Sequence, residues 1–199
     1  MSGDKLLFTP GPLTTSMTVK QAMLQDLGSR NDYFIGLVGD VRRRLLQLGG
    51  VDDGTYEAVL MQGSGTFGVE SVLSSVIPRD SKLLVAINGA YGRRMADIAK
   101  TLAIPVETIV SPESRPVDPG QMQEMLAHDP AITHLGIIHC ETTTGILNPV
   151  QEVGQLVRTQ RRVFLVDAMS SFAGIPVDIR GGGRVSPDSV SCWPAAICS

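Results

Sequence analysis

Short, almost continuously apolar runs alternate along this chain with stretches whose apolar residues recur at helical spacing. Runs without polar alternation are typical of strands that are buried on both faces of a sheet. The predicted strands cover residues 57–62, 82–87, 106–110, 134–139 and 162–166. The predicted helices cover residues 18–27, 40–48, 65–77, 91–102, 119–127 and 150–159. This alternation predicts an α/β fold, a mostly parallel sheet with helices on both faces, which binds ligands at the carboxyl ends of its strands.

Composition and charge bound the classes of function. The 199 residues are 43% hydrophobic and 19% charged, which is enough for one domain with a sizeable core. A net charge of -3 offers no basic surface for nucleic acid, and no apolar run approaches the ~20 residues that span a bilayer. The three cysteines, Cys140, Cys192 and Cys198, form no disulfide framework. These features predict a cytoplasmic protein that binds neither nucleic acid nor membrane.

The first predicted strand runs into a glycine-rich loop, GSGTFG at residues 63–68, which opens a helix. Glycines let the backbone approach an anion, the helix N-terminus supplies free N–H groups, and Ser64 and Thr66 add hydroxyl donors. The functional interpretation is a phosphate site at Ser64, Gly65 and Thr66; the structural alternative is a tight turn with a hydroxyl cap. The G-x-G-x-x-G spacing also leaves a dinucleotide site open, although the next strand ends in Asn88 rather than in an acidic residue.

Aromatic and polar residues follow the second and fourth predicted strands. Tyr91 stands where a tyrosine ring can lie over a flat heterocycle, and a core aromatic is the alternative. Thr142 and Thr143 can hydrogen-bond a ring substituent or can simply close a turn. His134 and His139 project to opposite faces of their strand, and no CxxC or HExxH motif accompanies them, so no metal site is predicted.

Asp167 follows the fifth and most hydrophobic predicted strand. A carboxylate at that edge can hold the protonated nitrogen of a pyridinium ring, the electron sink in pyridoxal phosphate chemistry, or it can cap a turn. A phosphate loop, an aromatic ring, a hydroxyl pair and an aspartate at the strand ends of one sheet predict pyridoxal 5'-phosphate as the cofactor. A non-catalytic remnant that binds this cofactor or a partner stays open as an alternative.

Five longer segments resemble a known family. They are LLFTPGPLTTSMTVKQAM, MQGSGTFGVESVL, INGAYGRRM, HCETTTGILNPV and VDAMSSFAGIPVDI, and they extend from about residue 6 to residue 179. In these segments the chain resembles the 2-aminoethylphosphonate–pyruvate transaminases of the class-V, fold-type-I aminotransferases. The resemblance implies transfer of the amino group of 2-aminoethylphosphonate to pyruvate, which yields phosphonoacetaldehyde and L-alanine. Alanine–glyoxylate or serine–pyruvate transamination is the alternative within the same chemistry.

The same resemblance implies roles for individual residues. The cofactor-binding residues would be Ser64, Gly65, Thr66, Tyr91, Thr142, Thr143 and Asp167. Within this set, the first three would hold the phosphate, the tyrosine would stack on the ring and the aspartate would pair with the ring nitrogen. Gly11 would approach the substrate. The complete family enzyme would be a homodimer with a smaller C-terminal domain.

The expected Schiff-base lysine is missing from the matching position. In the family it follows the aspartate by about two dozen residues, where it holds the cofactor and moves a proton. Here Trp193 falls near that position, and the chain's lysines are Lys5, Lys20, Lys82 and Lys100. None of these suits the role, so no catalytic residue is assigned and the chain alone is expected to be inactive.

The sequence from residue 180 onward is rich in Gly, Ser, Pro and Cys and shows no clear strand pattern. A frame-shifted or truncated product is the favoured explanation, and a genuine irregular loop is the alternative. The expected organisation is an N-terminal arm at 1–16, a partial cofactor-binding domain at 17–179 and an aberrant or irregular tail at 180–199.

Overall fold

The computed structural model describes residues 6–7, 14–176, 179 and 191–192. The chain divides into two compact units, one formed by residues up to 62 and the other beginning at Gly63. Gly11 and Trp193 lie outside the described residues, as does most of the segment 180–199. All the motifs between residues 63 and 167 belong to the second unit.

Helices and strands alternate from residue 65 onward, as the sequence predicts. The helices are α1 (Met17–Ala22), α2 (Asp32–Leu48), α3 (Gly65–Val76), α4 (Ala90–Thr101), α5 (Pro119–His128) and α6 (Val150–Thr159). The strands are β1 (Lys82–Ile87), β2 (Val106–Val110), β3 (Ile132–Ile138), β4 (Cys140–Glu141), β5 (Ile146–Leu147), β6 (Val163–Asp167) and β7 (Ser191–Cys192).

Five of the strands form one sheet in the order β2-β1-β3-β6-β7, and every neighbouring pair is parallel. Leu83 lies opposite both Val106 and His134, and Ile138 lies opposite Asp167. Parallel strands place their carboxyl ends at one edge, so the turns after β1, β3 and β6 meet there. The predicted α/β fold with a mostly parallel sheet is confirmed.

Helices cover both faces of the sheet. One core cluster includes Met122 of α5 and Val153 of α6, and the other includes Leu73 of α3 and Met95 of α4. Neighbouring residues of β1 enter different clusters, since Leu84 belongs to the first and the residues on either side of it belong to the second. Burial on both faces explains why the central strands β1, β3 and β6 appear in the sequence as nearly continuous apolar runs, whereas β2 at the edge is largely exposed.

Two buried asparagines join the ends of β1 and β3. Asn88 and Asn148 exchange reciprocal amide hydrogen bonds of 2.9 and 3.0 Å. Asn148 also donates to the carbonyl of Ile138 at 2.8 Å and accepts from the N–H of Val117 at 3.0 Å. The pair therefore satisfies backbone groups that the end of the sheet would otherwise leave buried without partners.

We expect Asn148→Ala to lower the free energy of unfolding by about 2–4 kcal/mol, because it leaves several buried polar groups unpaired. Urea unfolding measures this loss. Gln151→Ala is the matched control, because it truncates an exposed amide three residues away and should change stability little. Equal stability of the two variants would contradict a structural role for the asparagine pair.

The described residues of the first unit form two helices. Ser16 caps α1, which is shorter than the predicted helix 18–27. Helix α2 begins well before residue 40, because the side chain of Asn31 accepts the N–H groups of Tyr33 at 2.9 Å and Phe34 at 3.4 Å. Among the described residues, no helix is both long and apolar enough to cross a membrane.

The predicted strand at 57–62 is wrong. No described strand pairs with this segment, and the side chains of Val59, Leu60 and Met61 are 75%, 45% and 51% exposed. One of its carbonyls, that of Ala58, accepts a hydrogen bond from the guanidinium of Arg42 at 2.7 Å. An apolar run favours a strand only when a neighbour supplies the ladder of hydrogen bonds, and the sequence pattern does not report that neighbour.

Candidate functional site

The glycine-rich loop leads directly into the N-terminus of α3. Ser64 is the N-cap, and its hydroxyl oxygen accepts the N–H of Phe67 at 3.2 Å. Gly63 has a φ of 144°, a backbone conformation that residues with a Cβ rarely adopt, so this turn favours glycine. Gly65 and Thr66 occupy the first turn, where backbone N–H groups and the helix dipole favour an anion. Because the hydroxyl of Ser64 acts as an acceptor in the cap, it can still donate its own hydrogen.

We expect Ser64→Ala to cost about 1 kcal/mol of unfolding free energy, because the N-cap hydrogen bond of α3 is lost. Chemical denaturation of both forms measures the difference. Ser74→Ala is the control, since its hydroxyl only donates to the carbonyl of Ser71 within the same helix. A Ser64→Ala variant as stable as the wild type would contradict the capping role.

A cation lies beside this helix terminus. The guanidinium of Arg94 donates to the hydroxyl of Thr66 at 3.1 Å and lies 4.9 Å from the centre of the Tyr91 ring. Arg94 thus connects the predicted phosphate residue with the predicted ring-stacking residue. Sequence reasoning gave Arg94 no role, because the contact joins helices that are distant in the sequence.

The predicted hydroxyl pair lies in the turn between β4 and β5. The hydroxyl of Thr142 is within hydrogen-bond distance of that of Ser170, which follows β6. The hydroxyl of Thr143 donates to the carboxylate of Glu141 at 3.0 Å. The turn is therefore fixed both to the segment after β6 and to a buried acid.

Asp167 is the last residue of β6 and is only 6% exposed. One carboxylate oxygen accepts the N–H of Met169 at 2.9 Å, and the other has no hydrogen-bond partner among the described residues. Burial raises the pKa of Asp167, the bond from Met169 opposes that rise, and the charge of Glu141 adds to it. A buried carboxylate with one free oxygen is set to receive a charged donor.

Glu141, like Arg94, contacts the predicted site residues but was not singled out from the sequence. It is fully buried, and its carboxylate accepts the N–H groups of Tyr91 at 3.3 Å and Gly92 at 3.4 Å in the first turn of α4. It also accepts the N–H of Thr143 at 3.4 Å. The available signal was an acidic residue directly after a buried strand, inside the hydroxyl-rich segment.

The histidines near β3 have structural partners. His134 contacts the carbonyl of Val76 through Nε2 at 3.2 Å, and His139 contacts the hydroxyl of Ser171 through Nδ1 at 2.8 Å. Burial lowers the pKa of both rings. Across the described part of the chain, no group of three or more His, Cys, Asp or Glu side chains gathers as a metal site.

The predicted residues are linked to one another across the strand-end edge. Thr66 connects through Arg94 to Tyr91, and Thr142 connects to the segment after Asp167. Gly65 lies against Met169, since a Cβ on this glycine would be 2.4 Å from the Met169 methyl carbon. The contacts bring together all seven predicted cofactor-binding residues that the structure describes.

Pyridoxal phosphate fits this donor and acceptor set. Its protonated ring nitrogen would supply the donor that the free oxygen of Asp167 lacks. Its phosphate would accept from the N-terminus of α3 and from the hydroxyls of Ser64 and Thr66, beside the positive charge of Arg94. The aromatic ring of Tyr91 and the hydroxyls of the β4–β5 turn supply the remaining contacts that a polar heterocycle needs.

Comparison with known proteins identifies a matching family and several similar proteins. Residues 21–183 match the model of the aminotransferase class-V family. The chain is 48% identical to the 2-aminoethylphosphonate–pyruvate transaminase of Lysinibacillus sphaericus over 179 residues, which are 90% of this chain and 49% of that protein. It is 46% identical to the enzyme of the same name from Pseudomonas putida over 181 residues, with the same two coverages. The chain thus spans about half the length of the curated relatives it matches.

Two solved structures of aminotransferases superpose on this chain. Alanine–glyoxylate aminotransferase from Nostoc superposes with a TM-score of 0.82 at 26% identity, over 92% of this chain and 48% of that one. Pyridoxamine–pyruvate aminotransferase from Mesorhizobium loti superposes with a TM-score of 0.80 at 25% identity, over 89% and 45%. The cofactor of this family is pyridoxal phosphate. The family match covers most of the chain, and the chain therefore belongs to the class-V aminotransferases.

Proposed function

We propose that this chain forms the cofactor-binding part of a transaminase that moves the amino group of 2-aminoethylphosphonate to pyruvate, releasing phosphonoacetaldehyde and L-alanine. The observation that carries the proposal is the buried carboxylate of Asp167, which has one oxygen without a partner among the described residues. The choice of amino donor is supported by the relatives of that name, which are 46–50% identical to this chain.

Each residue of the chain has a distinct task in this proposal. Bound pyridoxal phosphate supplies an electron sink for the negative charge that develops when the amino donor loses a proton from the carbon that bears its amino group. Asp167 keeps the ring nitrogen protonated, because the negative charge of its buried carboxylate stabilises the positive charge of the protonated ring. Ser64, Gly65 and Thr66 anchor the phosphate, and Tyr91 excludes water from one face of the ring.

Several other features belong to the same proposal. Gly11 approaches the substrate, Thr142 and Thr143 lie beside the ring, and the complete enzyme is a cytoplasmic homodimer. The chain alone lacks the covalent lysine link to the cofactor, so it binds the cofactor reversibly and has negligible activity. The net charge of -3 and the absence of a long apolar run support the cytoplasmic location.

A donor panel on a chimera tests the substrate assignment. Residues 1–179 of this chain are joined to the second half of the Lysinibacillus sphaericus relative and assayed with 2-aminoethylphosphonate, L-serine or L-alanine, with pyruvate or glyoxylate as acceptor. We expect kcat/KM for 2-aminoethylphosphonate and pyruvate within about tenfold of the parent relative.

Two controls make the panel decisive. An Asp167→Asn chimera should be inactive, which shows that turnover depends on this chain's residues. Preference for alanine and glyoxylate, or for serine and pyruvate, would instead support the corresponding alternative transaminase. A chimera that binds the cofactor but turns over no donor would contradict the proposal.

A further inference from the structure

The first turn of α4 lacks a cap of its own. Its N-cap residue is Gly89, which has no side chain to accept the free N–H groups at the start of the helix. Glu141 supplies that acceptor from a different part of the chain, through the bonds to Tyr91 and Gly92. The helix that carries the ring-stacking tyrosine is therefore held in place by the β4–β5 segment.

The same carboxylate also fixes the turn that carries the hydroxyl pair. Oε1 of Glu141 accepts both the N–H of Thr143 at 3.4 Å and its hydroxyl at 3.0 Å. One fully buried side chain thus links Tyr91 and Thr143, two of the predicted cofactor residues. A glutamine at this position could still accept through one atom, but its amide nitrogen would face a second donor.

The packing around Glu141 leaves its side chain little freedom. A Cβ on Gly89 would lie 2.2 Å from Cγ of Glu141 and 2.7 Å from Oε2. Contact this close means that any side chain at residue 89 must displace the carboxylate. Gly89 is extended, with a φ of 179°, so an alanine there is compatible with the backbone.

We infer that Glu141 is a positioning residue that sets the slot for the cofactor ring, by tying the first turn of α4 to the turn that carries Thr143. This inference rests on the proposed function. Glu141 also places a second buried negative charge near Asp167, which favours a cationic heterocycle over a neutral one. The phosphate end of the site lies at the N-terminus of α3, which is capped by Ser64 and not by Glu141.

The test distinguishes binding of the cofactor ring from binding of its phosphate. Dissociation constants of the 199-residue chain are measured for pyridoxamine phosphate, by its fluorescence, and for inorganic phosphate, by competition. The wild-type chain should bind pyridoxamine phosphate at least about 100-fold more tightly than inorganic phosphate. If it does not, the proposed function fails before Glu141 is tested.

In Glu141→Gln, the dissociation constant for inorganic phosphate divided by that for pyridoxamine phosphate should fall at least about tenfold. The constant for inorganic phosphate itself should stay within about twofold of the wild-type value. Gly89→Ala should produce the same selective loss by displacing the carboxylate, and the double variant should lose no more than either single one. An unchanged ratio in a folded Glu141→Gln or Gly89→Ala chain would overturn the inference. A parallel loss for both ligands would do so as well, because it indicates general damage.

The control removes a different acid that contacts the same helix. Glu113 forms an exposed ion pair with Arg93 of α4, so Glu113→Gln should leave the ratio unchanged. If neither Glu141→Gln nor Gly89→Ala folds, amide hydrogen exchange on the wild-type chain tests the inference instead. The amides of Tyr91, Gly92 and Thr143 should all be protected from exchange, and their protection should increase together when pyridoxamine phosphate is added. Exchange of these amides at unprotected rates would refute the inference.

Discussion

Asp167→Asn should weaken the binding of pyridoxamine phosphate about 100-fold, equivalent to about 3 kcal/mol, and should at the same time stabilise the ligand-free chain. Affinity falls because a neutral amide replaces the carboxylate that pairs with the ring nitrogen. Stability rises because the amide keeps an acceptor for the N–H of Met169 and removes a buried charge beside Glu141. A site built for a ligand commonly trades stability for function in this way.

The stabilisation should depend on pH in a defined direction. Burial raises the pKa of Asp167 in the folded chain above its ordinary value of 3.8, so the folded state holds its proton more tightly than the unfolded state does. The cost of ionising this carboxyl is therefore absent below pH 3.8 and grows as the pH rises to the raised pKa. The advantage of Asp167→Asn in urea unfolding should follow the same course.

Asp129→Asn is the matched control. Asp129 pairs with Lys82 at 2.7 Å, beside the amino end of β1, on the opposite edge of the sheet from Asp167. Its replacement should leave the affinity for pyridoxamine phosphate unchanged. Equal affinity losses in the two variants, or an Asp167→Asn chain that is less stable at neutral pH, would contradict the proposed pairing.

Borohydride reduction of the chain with pyridoxal phosphate should label no lysine stoichiometrically. Lys82 is the first residue of β1 and lies on the edge opposite the strand-end site. Its hydrogen bond to Asp129 raises the pKa of its amino group above the ordinary value. Lys100 lies in the last turn of α4, where it pairs with Asp97 at 3.2 Å. Even an unperturbed lysine is less than about 0.1% deprotonated at pH 7, which makes it a poor nucleophile.

Peptide mapping after reduction measures the label on each lysine. The Lysinibacillus sphaericus relative serves as the positive control, with one fully labelled peptide. In this chain the label should be weak and spread over several peptides, while pyridoxamine phosphate still binds reversibly. One stoichiometrically labelled lysine would overturn the expectation that the chain alone is inactive.

Parts of the fold could be predicted from the sequence to the exact residue. The strands at Lys82–Ile87 and Val106–Val110 have the predicted bounds. The second includes Glu107 and Thr108, whereas the first is a nearly continuous apolar run. The segment 57–62 has the same kind of pattern and forms no described strand. Pattern alone reports that a segment can be buried on both faces, but not which other segment pairs with it.

The residues of the candidate site likewise fall into those that a local pattern predicts and those that only tertiary packing reveals. Asp167 and Thr143 were predicted because polar residues after buried strands gather at one edge of a parallel sheet. The roles of Arg94 and Glu141 depend instead on partners far away in the sequence, the hydroxyl of Thr66 and the N–H of Tyr91. Contacts of this kind come from tertiary packing, which no local pattern encodes.

The strand order also affects how the chain is made. β1 lies between β2 and β3, and its residue Leu83 pairs with His134, about fifty residues later. At a synthesis rate of about 5–20 residues per second, one side of β1 waits roughly 3–10 s for its partner to leave the ribosome. During that interval Leu83 and Val85, which are fully buried in the finished sheet, are open to other nascent chains. The strand order thus gives β1 an interval of exposure during synthesis in which exposed apolar surface favours aggregation.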